Sequence, residues 1–229
     1  MLHPYDTLDG YTVLRLLGHG GFGEVWLCRS LAMGDWRALK FIPATTPNRQ
    51  EREFSALQHY RQASAQIRAS SLTLIEHVGK TSDGLFYIMP LADGIGAANP
   101  QQPEWTPLTL QLLVEKQRQE PVWFSPDEIV RLFSPILIAL QQLTDLGLVH
   151  RDVKPENILF FGGKPALADI SLLAEDSPTL TCLGTPGFSV PSWYQGGHPD
   201  MYAAAATLYF LLTGNTPDKM GRAAFLWPP

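Results

Sequence analysis

The stretch His150-Arg151-Asp152-Val153-Lys154-Pro155-Glu156-Asn157 decides how the rest of the chain is interpreted. It is polar, and the apolar residues 158–161 that follow it predict a β-strand. Asp152 can orient an attacking hydroxyl and accept its proton, while Lys154 can neutralise a transferring phosphate. The amide oxygen of Asn157 can ligate Mg²⁺. A polar turn before a strand has no need of this order of residues, so the stretch favours the chemistry of phosphoryl transfer.

Composition is that of one large domain or of two small lobes. The 229 residues are 45% hydrophobic, which is enough to bury a core. The net charge is −5, from 17 basic and 22 acidic residues, and no block of like charge occurs. We therefore expect no nucleic-acid-binding surface.

The chain shows no sign of secretion or of membrane insertion. Cys28 and Cys182 lie far apart without the spacing of metal ligands, which fits free thiols in a reducing compartment. The N-terminus has no signal-peptide pattern. The longest apolar stretch, residues 201–212, is too short to span a bilayer. The expectation is a cytoplasmic protein with no membrane segment in this chain.

A glycine-rich segment follows the first predicted strand, residues 11–17. Glycines at positions 18, 20 and 23 permit tight turning and let backbone N–H groups approach phosphate oxygens. A Rossmann turn would need a helix next, whereas Val25 begins another apolar strand. The pattern therefore favours a hairpin folded over phosphates.

Further elements follow from periodicity and turn residues. Strands are predicted at residues 36–42, 71–78, 84–91 and 164–168, and helices at 49–60, 108–119, 125–145 and 200–214. The helix from Ser125 has Pro126 at its first position and Glu128 placed to complete a capping box. Pro135 predicts a kink within it.

Taken together, these motifs resemble the Hanks-type Ser/Thr protein kinases, in a bacterial-like form. Residues 150–157 read as the catalytic loop of that family, and residues 18–23 read as its glycine-rich loop. The resemblance covers about residues 11–217. It implies an α+β, bilobal protein-kinase-like fold. The β-rich N-lobe (residues 1–93) and a hinge or linker (94–107) precede an α-helical C-lobe (108–229). The C-lobe is truncated after helix αF, which the helix predicted at residues 200–214 resembles.

The resemblance also implies an ATP site in the N-lobe. Its residues would be Gly18, Gly20, Gly21, Gly23, Val25, Ala38, Lys40, Glu53, Met89, Pro90 and Ala92. Lys40 would grip the α- and β-phosphates and pair with Glu53, for which Glu51 is the alternative on the same predicted helix. Read without the family, Lys40 is equally an edge-strand lysine whose stem packs against the sheet. Met89 would be the gatekeeper, and the Pro90 carbonyl and Ala92 N–H would meet the adenine.

Catalytic and supporting roles in the C-lobe are implied in the same way. Asp152 and Lys154 would be catalytic, and Asn157 and Asp169 would hold Mg²⁺ against the phosphates. Thr185 would hydrogen-bond Asp152 and Lys154. His150, Arg151 and Asp200 would support the catalytic loop. Ser177, Thr179 and Thr181 would be possible autophosphorylation sites.

The chain departs from the family pattern at two places. Ile170-Ser171 stands where the family has Phe-Gly after the metal-binding aspartate, and Ser192 stands where it has a glutamate. The arginine that normally pairs with that glutamate is also expected to be missing, which is consistent because a lone buried charge is costly. A shortened C-lobe would expose apolar surface and invite a partner or self-association.

Three functions fit these features to different degrees. The favoured one is an ATP- and Mg²⁺-dependent Ser/Thr kinase that acts on protein substrates and on itself. The alternative is a pseudokinase that serves as a nucleotide-binding docking or regulatory module; Ile170-Ser171 and Ser192 point towards it, and the retained polar site residues point away. A small-molecule kinase is disfavoured because residues 184–191 resemble a peptide-substrate platform.

Overall fold

The structure of the protein is a computed structural model. It describes residues 2–20, 23–44, 51, 54–55, 57–58, 60–61, 71–169, 174–175, 185–190 and 198–217. The chain divides into two compact units. The first comprises Met1–Arg68, Thr73–Leu108 and Phe161–Gly163, and the second comprises Ala69–Leu72, Thr109–Phe160 and Lys164–Pro229.

The first unit is built on a six-stranded antiparallel sheet. Its strands are β1 (Thr7–Leu8), β2 (Tyr11–Gly20), β3 (Gly23–Ser30), β4 (Trp36–Pro43), β5 (His77–Lys80) and β6 (Gly84–Pro90). Their order across the sheet is β1-β2-β3-β4-β6-β5. Alternate residues of the central strands form one buried cluster, as the two-residue period of a strand requires: Trp26 and Cys28, Leu39 and Phe41, and Phe86 and Ile88.

The strand predicted at residues 71–78 is wrong at its N-terminal end, because β5 begins at His77. Residues 71 and 72 are not part of β5, and their backbone pairs inside the second unit. The Ser71 carbonyl accepts a hydrogen bond from the Leu167 N–H at 2.8 Å, and Leu72 forms a parallel bridge with Leu167. The predicted strand is therefore divided between two partners: its first residues bond to Leu167, and its last residues pair with β6.

Residues 94–107, interpreted from composition as a hinge or linker, carry a two-stranded antiparallel ribbon of β7 (Gly94–Ile95) and β8 (Thr106–Pro107). The Leu108 N–H closes its base by donating to the Asp93 carbonyl at 2.7 Å. All of these residues belong to the first unit.

The second unit is mainly helical within the described residues. Its helices are α1 (Leu110–Gln117), α2 (Pro126–Asp145) and α3 (Pro199–Thr213). A short 3₁₀ turn (Pro155–Asn157) and strands β9 (Leu148–Val149), β10 (Ile158–Phe161), β11 (Lys164–Leu167) and β12 (Ala174–Glu175) complete it. The last residue of β10, Phe161, belongs to the first unit. The predicted α+β class, with a β-rich part followed by a helical part, is confirmed.

Local signals set the ends of the helices. Ser125 accepts from the Glu128 N–H while Glu128 accepts from the Ser125 N–H, which is the predicted capping box. Helix α2 continues through Pro135 as a single element. Helix α3 ends at Gly214, whose φ of 70° is the left-handed conformation that glycine adopts easily.

Helix α2 carries apolar residues on its exposed side as well as on its buried side. Phe133, Ile136 and Leu140 are buried, whereas Val130 and Ile138 are exposed. Exposed apolar residues on one helix do not by themselves identify a partner, so association through this lobe stays a prediction. Among the described residues, no helix has both the length and the apolar character that crossing a membrane requires.

Candidate active site

The backbone of the catalytic stretch is fixed by a buried aspartate at the start of α3. Asp200 is 1% exposed. Its carboxylate accepts hydrogen bonds from the N–H groups of His150 and Arg151, both at 2.7 Å. Arg151 has a φ of 68°, an uncommon conformation for a residue with a side chain. The two charge-assisted bonds from a buried carboxylate therefore hold the strained turn in place.

His150 is fully buried, and its ring links the catalytic stretch to the segment before Asp169. Nε2 lies 3.1 Å from the Ala168 carbonyl oxygen, and Nδ1 lies 3.4 Å from the Asp152 N–H nitrogen. Because a carbonyl can only accept, Nε2 must carry the proton and Nδ1 must accept. The ring is thus neutral. Burial accordingly lowers the pKa of His150, although nearby carboxylates, Asp200 foremost, act in the opposite direction.

The Asp152 carboxylate is held by three side chains. Lys154 Nζ lies 2.9 Å from Oδ2, and Asn157 Nδ2 donates to the same oxygen at 2.7 Å. The Thr185 hydroxyl donates to Oδ1 at 3.0 Å and itself accepts from Lys154 Nζ at 2.7 Å. Three donors around one carboxylate fix its direction. A carboxylate so placed can orient a hydroxyl and take its proton.

Asn157 and Asp169 are brought together by the backbone. The Ala168 N–H donates to the Asn157 carbonyl at 2.7 Å, so Asp169 follows directly after a residue paired with Asn157. The side-chain nitrogen of Asn157 donates to two oxygens of Asp152, the backbone carbonyl oxygen (2.8 Å) and a carboxylate oxygen. The amide oxygen is consequently the Asn157 atom that a cation can take. Oxygen ligands of these two kinds suit Mg²⁺.

Among the residues that the structure describes, no group of three or more His, Cys, Asp and Glu side chains is placed to hold a metal ion. One carboxylate and one amide oxygen provide few protein ligands. Mg²⁺ is commonly bound in this way, with phosphate oxygens and water completing its six ligands.

In the first unit, β2 and β3 form the predicted glycine-rich hairpin. Gly18 is opposite Val25, and Gly20 is opposite Gly23. Gly23 is required by the protein itself, because a Cβ there would lie 2.1 Å from the Phe41 carbonyl oxygen at a φ of 135°. A Cβ at Gly18 would meet no atom of the described residues within 4 Å. Packing therefore does not explain glycine at position 18, whereas close approach of a phosphate would.

Lys40 lies in the middle of β4, paired with Val25 on one side and Tyr87 on the other. It is 4% exposed. A buried ammonium is stable only with compensating charge or hydrogen bonds, which fits a site for anionic groups. Of the adenine-site candidates, Ala38 is the β-sheet partner of Met89, and all three of Ala38, Met89 and Ala92 are buried.

Pro90 ends β6 opposite Arg37. The end of a strand tolerates the missing N–H, and the Pro90 carbonyl is retained.

Several predicted residues lie outside the described part of the chain. They are Gly21, Glu53, Ser177, Thr179 and Thr181, together with the departures at Ile170, Ser171 and Ser192. The predicted ion pair of Lys40 with Glu53 and the phosphorylation sites therefore stay predictions.

Two contacts around the site were not predicted from the sequence. One is the Ala168 carbonyl, a backbone atom that leaves no residue signal. The other is Asp93, whose carboxylate accepts from the N–H groups of Gly162 and Gly163 at 2.9 and 2.7 Å. Both glycines have positive φ angles, so the Gly-Gly pair marks a tight turn, but nothing in the sequence connects that turn to Asp93.

Comparison with known proteins agrees with this arrangement. A family model described as "Protein kinase domain" matches residues 11–223. Serine/threonine-protein kinase C of Synechocystis sp. is 28% identical over 248 residues, which covers 96% of this chain and 42% of that protein. Serine/threonine-protein kinase PknF of Mycobacterium tuberculosis is 29% identical over 241 residues, covering 96% and 46%.

A third relative, serine/threonine-protein kinase pkn3 of Myxococcus xanthus, is 28% identical over 236 residues, covering 93% of this chain and 39% of the relative. The chain thus spans less than half the length of these curated relatives.

Proposed function

The chain belongs to the protein kinase family, and we propose from this premise that it transfers the γ-phosphate of ATP to serine and threonine hydroxyls of proteins. One observation carries the proposal. Lys154, Asn157 and Thr185 converge on the Asp152 carboxylate at 2.7 to 3.0 Å. A loop with only a structural task has no need to bury an aspartate and surround its carboxylate with three donors.

In the proposed reaction, Asp152 accepts a hydrogen bond from the substrate hydroxyl and takes its proton as the new oxygen–phosphorus bond forms. The bond between the γ-phosphorus and the oxygen that bridges it to the β-phosphate breaks in the same step, and ADP leaves. Lys154 lies beside this carboxylate and neutralises negative charge on the transferred phosphoryl group. Thr185 contacts both side chains, so it keeps the base and the cation in one fixed arrangement. Positioning of this kind supplies much of the rate acceleration in phosphoryl transfer.

ATP and Mg²⁺ are the proposed cosubstrate and cofactor. The amide oxygen of Asn157 and the carboxylate of Asp169 would hold Mg²⁺, which would neutralise charge on the phosphates when bound. Lys40 and the Gly18–Gly23 hairpin would bind the phosphates. Met89, Pro90 and Ala92 would contact the adenine, through a side chain, a carbonyl and an N–H, respectively.

Protein substrates and autophosphorylation are part of the same proposal. The Thr185 hydroxyl donates a hydrogen bond to Asp152. Thr185 belongs to residues 184–191, the segment predicted to face a peptide substrate. Autophosphorylation would fall on Ser177, Thr179 or Thr181. The pseudokinase alternative is not favoured, because Lys40, Asp152, Lys154, Asn157 and Asp169 are all retained.

The test is transfer of labelled γ-phosphate from Mg·ATP, with the chain itself and a generic basic protein as acceptors. We expect label on serine and threonine, and a loss of about 10²- to 10⁴-fold with Asp152→Asn, since a general base contributes that much. The matched control is Asp145→Asn, which changes an exposed aspartate at the end of α2 whose carboxylate accepts from the Gln141 side chain on the same helix.

Equal labelling by Asp152→Asn and wild type would contradict the assigned mechanism. A folded wild type that transfers no label to either acceptor would contradict the proposed function itself.

A further inference from the structure

Residues 94–107, called here the hinge ribbon, form a folded unit of their own. Beyond the β7–β8 pairing, the Trp105 N–H donates to the Gln102 carbonyl at 3.1 Å, and the Gln102 N–H donates to the Asn99 carbonyl at 3.0 Å. Trp105 is only 4% exposed. A Cβ at Gly94 would lie 1.8 Å from the Trp105 ring nitrogen, so the ring packs directly against the glycine backbone.

One side chain of the sheet holds this ribbon. Arg15 of β2 donates from Nε to the Pro100 carbonyl at 2.8 Å and from Nη2 to the Trp105 carbonyl at 2.7 Å. Its guanidinium carbon also lies 5.8 Å from the centre of the Trp105 ring. The planar fork of arginine suits two acceptors at once, and the flat cation suits the aromatic ring.

Strand β2 needs such support at this position. Its pairing with β3 is interrupted between Val13 and Arg15 and again between Leu16 and Gly18. On its other edge, β1 pairs only with Tyr11 and Thr12. Among the described residues, no strand other than β1 pairs with that edge of β2. The half of β2 that leads into the glycine-rich hairpin is therefore held by an irregular ladder on one side.

We propose that Arg15 is a positioning residue for the nucleotide: it clasps the hinge ribbon to β2 and so fixes the start of the glycine-rich hairpin relative to the adenine-binding segment. The ribbon begins two residues after Ala92, and Gly18 follows Arg15 by three residues. Both segments belong to the first unit. The ligand would be a purine nucleoside triphosphate with Mg²⁺, so this inference rests on the proposed function.

The decisive comparison is Arg15→Ala against Arg29→Ala. Arg29 makes the same kinds of contact away from the ribbon: its Nε donates to the Gly34 carbonyl at 2.8 Å, and its guanidinium lies 5.2 Å from the centre of the Trp36 ring. Both substitutions therefore remove an arginine that bonds a carbonyl and stacks on a tryptophan. Arg15→Lys serves as a milder second variant, because one ammonium cannot reproduce the fork.

Two quantities would be measured for each variant. The first is amide hydrogen exchange of peptides covering residues 14–20, which we expect to be about tenfold faster in Arg15→Ala and unchanged in Arg29→Ala. The second is the Kd of Mg·ATP by calorimetry, expected to rise about tenfold in Arg15→Ala and to stay near the wild-type value in Arg29→Ala. Arg15→Lys should lie between.

A purely structural role would lower the melting temperature of both alanine variants without separating their ATP affinities. Equal exchange in the two variants, or equal Kd values, would overturn the positioning role of Arg15. A wild type that does not bind Mg·ATP would overturn the proposed function, and with it the nucleotide role. Even then, faster amide hydrogen exchange of residues 14–20 in Arg15→Ala would show that Arg15 stabilises β2.

Discussion

At the scale of single residues, backbone strain is concentrated where the chemistry is proposed. Four described non-glycine residues have positive φ angles, and two of them, Arg151 and Asp169, lie in the candidate active site. Each such conformation costs about 1–3 kcal/mol. The two hydrogen bonds from Arg151 and His150 to the Asp200 carboxylate are each worth about 1.5–3 kcal/mol, which is enough to offset the strain at Arg151.

The buried neutral ring of His150 predicts a loss of stability in mild acid. Its pKa is lowered in the folded state, so below a pH of about 6.5 the unfolded chain binds a proton that the folded chain does not. The free energy of unfolding should therefore fall as the pH drops from about 6.5 to 5. The contribution of this residue is at most about 1.4 kcal/mol per pH unit.

The measurement is urea denaturation at several pH values for wild type and His150→Gln. The glutamine variant is expected to be less stable at pH 8, because it loses the acceptor for the Asp152 N–H, but flatter with pH. If the two proteins showed the same slope between pH 7 and 5, His150 would not be the group responsible.

At the scale of elements, most ends are set by a few local residues. The capping box of α2 and the left-handed Gly214 after α3 are both evident from spacing and residue type. The glycine-rich hairpin shows what local pattern misses. Three glycines look equivalent in sequence, yet only the structure separates them: a Cβ at Gly23 would collide with the β4 backbone, whereas a Cβ at Gly18 would meet no atom of the described residues within 4 Å.

Removing the cap of α2 should destabilise the helical unit. Ser125→Ala eliminates the acceptor for the Glu128 N–H, and a lost N-cap costs about 1 kcal/mol. Ser134→Ala, in the interior of the same helix, is the control and should change stability by less than about 0.5 kcal/mol. The midpoint of urea denaturation checks both values. A Ser125→Ala midpoint equal to that of Ser134→Ala would show that the cap does not limit stability.

At the scale of the whole molecule, nucleotide binding should appear as stabilisation of the folded chain. Mg·ATP at about 100 times its Kd would add about 2.7 kcal/mol, which corresponds to roughly 5–10 °C in melting temperature for a chain of this size. Lys40→Met should abolish that shift, because it removes the buried ammonium proposed to bind the phosphates. Lys164→Met, an exposed lysine in β11, is the control and should keep it.

This measurement also separates the two functions that share the fold. An ATP-dependent shift that Lys40→Met removes, without phosphate transfer, would support a nucleotide-binding module in place of an enzyme. A shift of equal size in Lys40→Met would exclude the assigned role of Lys40.

Sequence alone determined the elements whose causes lie within a few residues of one another. The order of residues 150–157, the glycine-rich hairpin and the cap of α2 are examples, because spacing and residue type fix them locally. The contact of Asp200 with the backbone of residues 150 and 151 was predicted from the resemblance to kinases. No local pattern in the sequence indicates it. That contact spans fifty positions of the chain.

Only the tertiary structure decided how distant segments meet. A Pro-, Gly- and Asn-rich stretch forms a folded ribbon, whose Trp105 carbonyl accepts a hydrogen bond from Arg15, ninety residues away. The strand predicted from residue 71 is shortened because its first residues pair with Leu167. Composition records which residues favour a turn or a strand. It does not record which distant backbone carbonyl a side chain will hydrogen-bond in the folded chain.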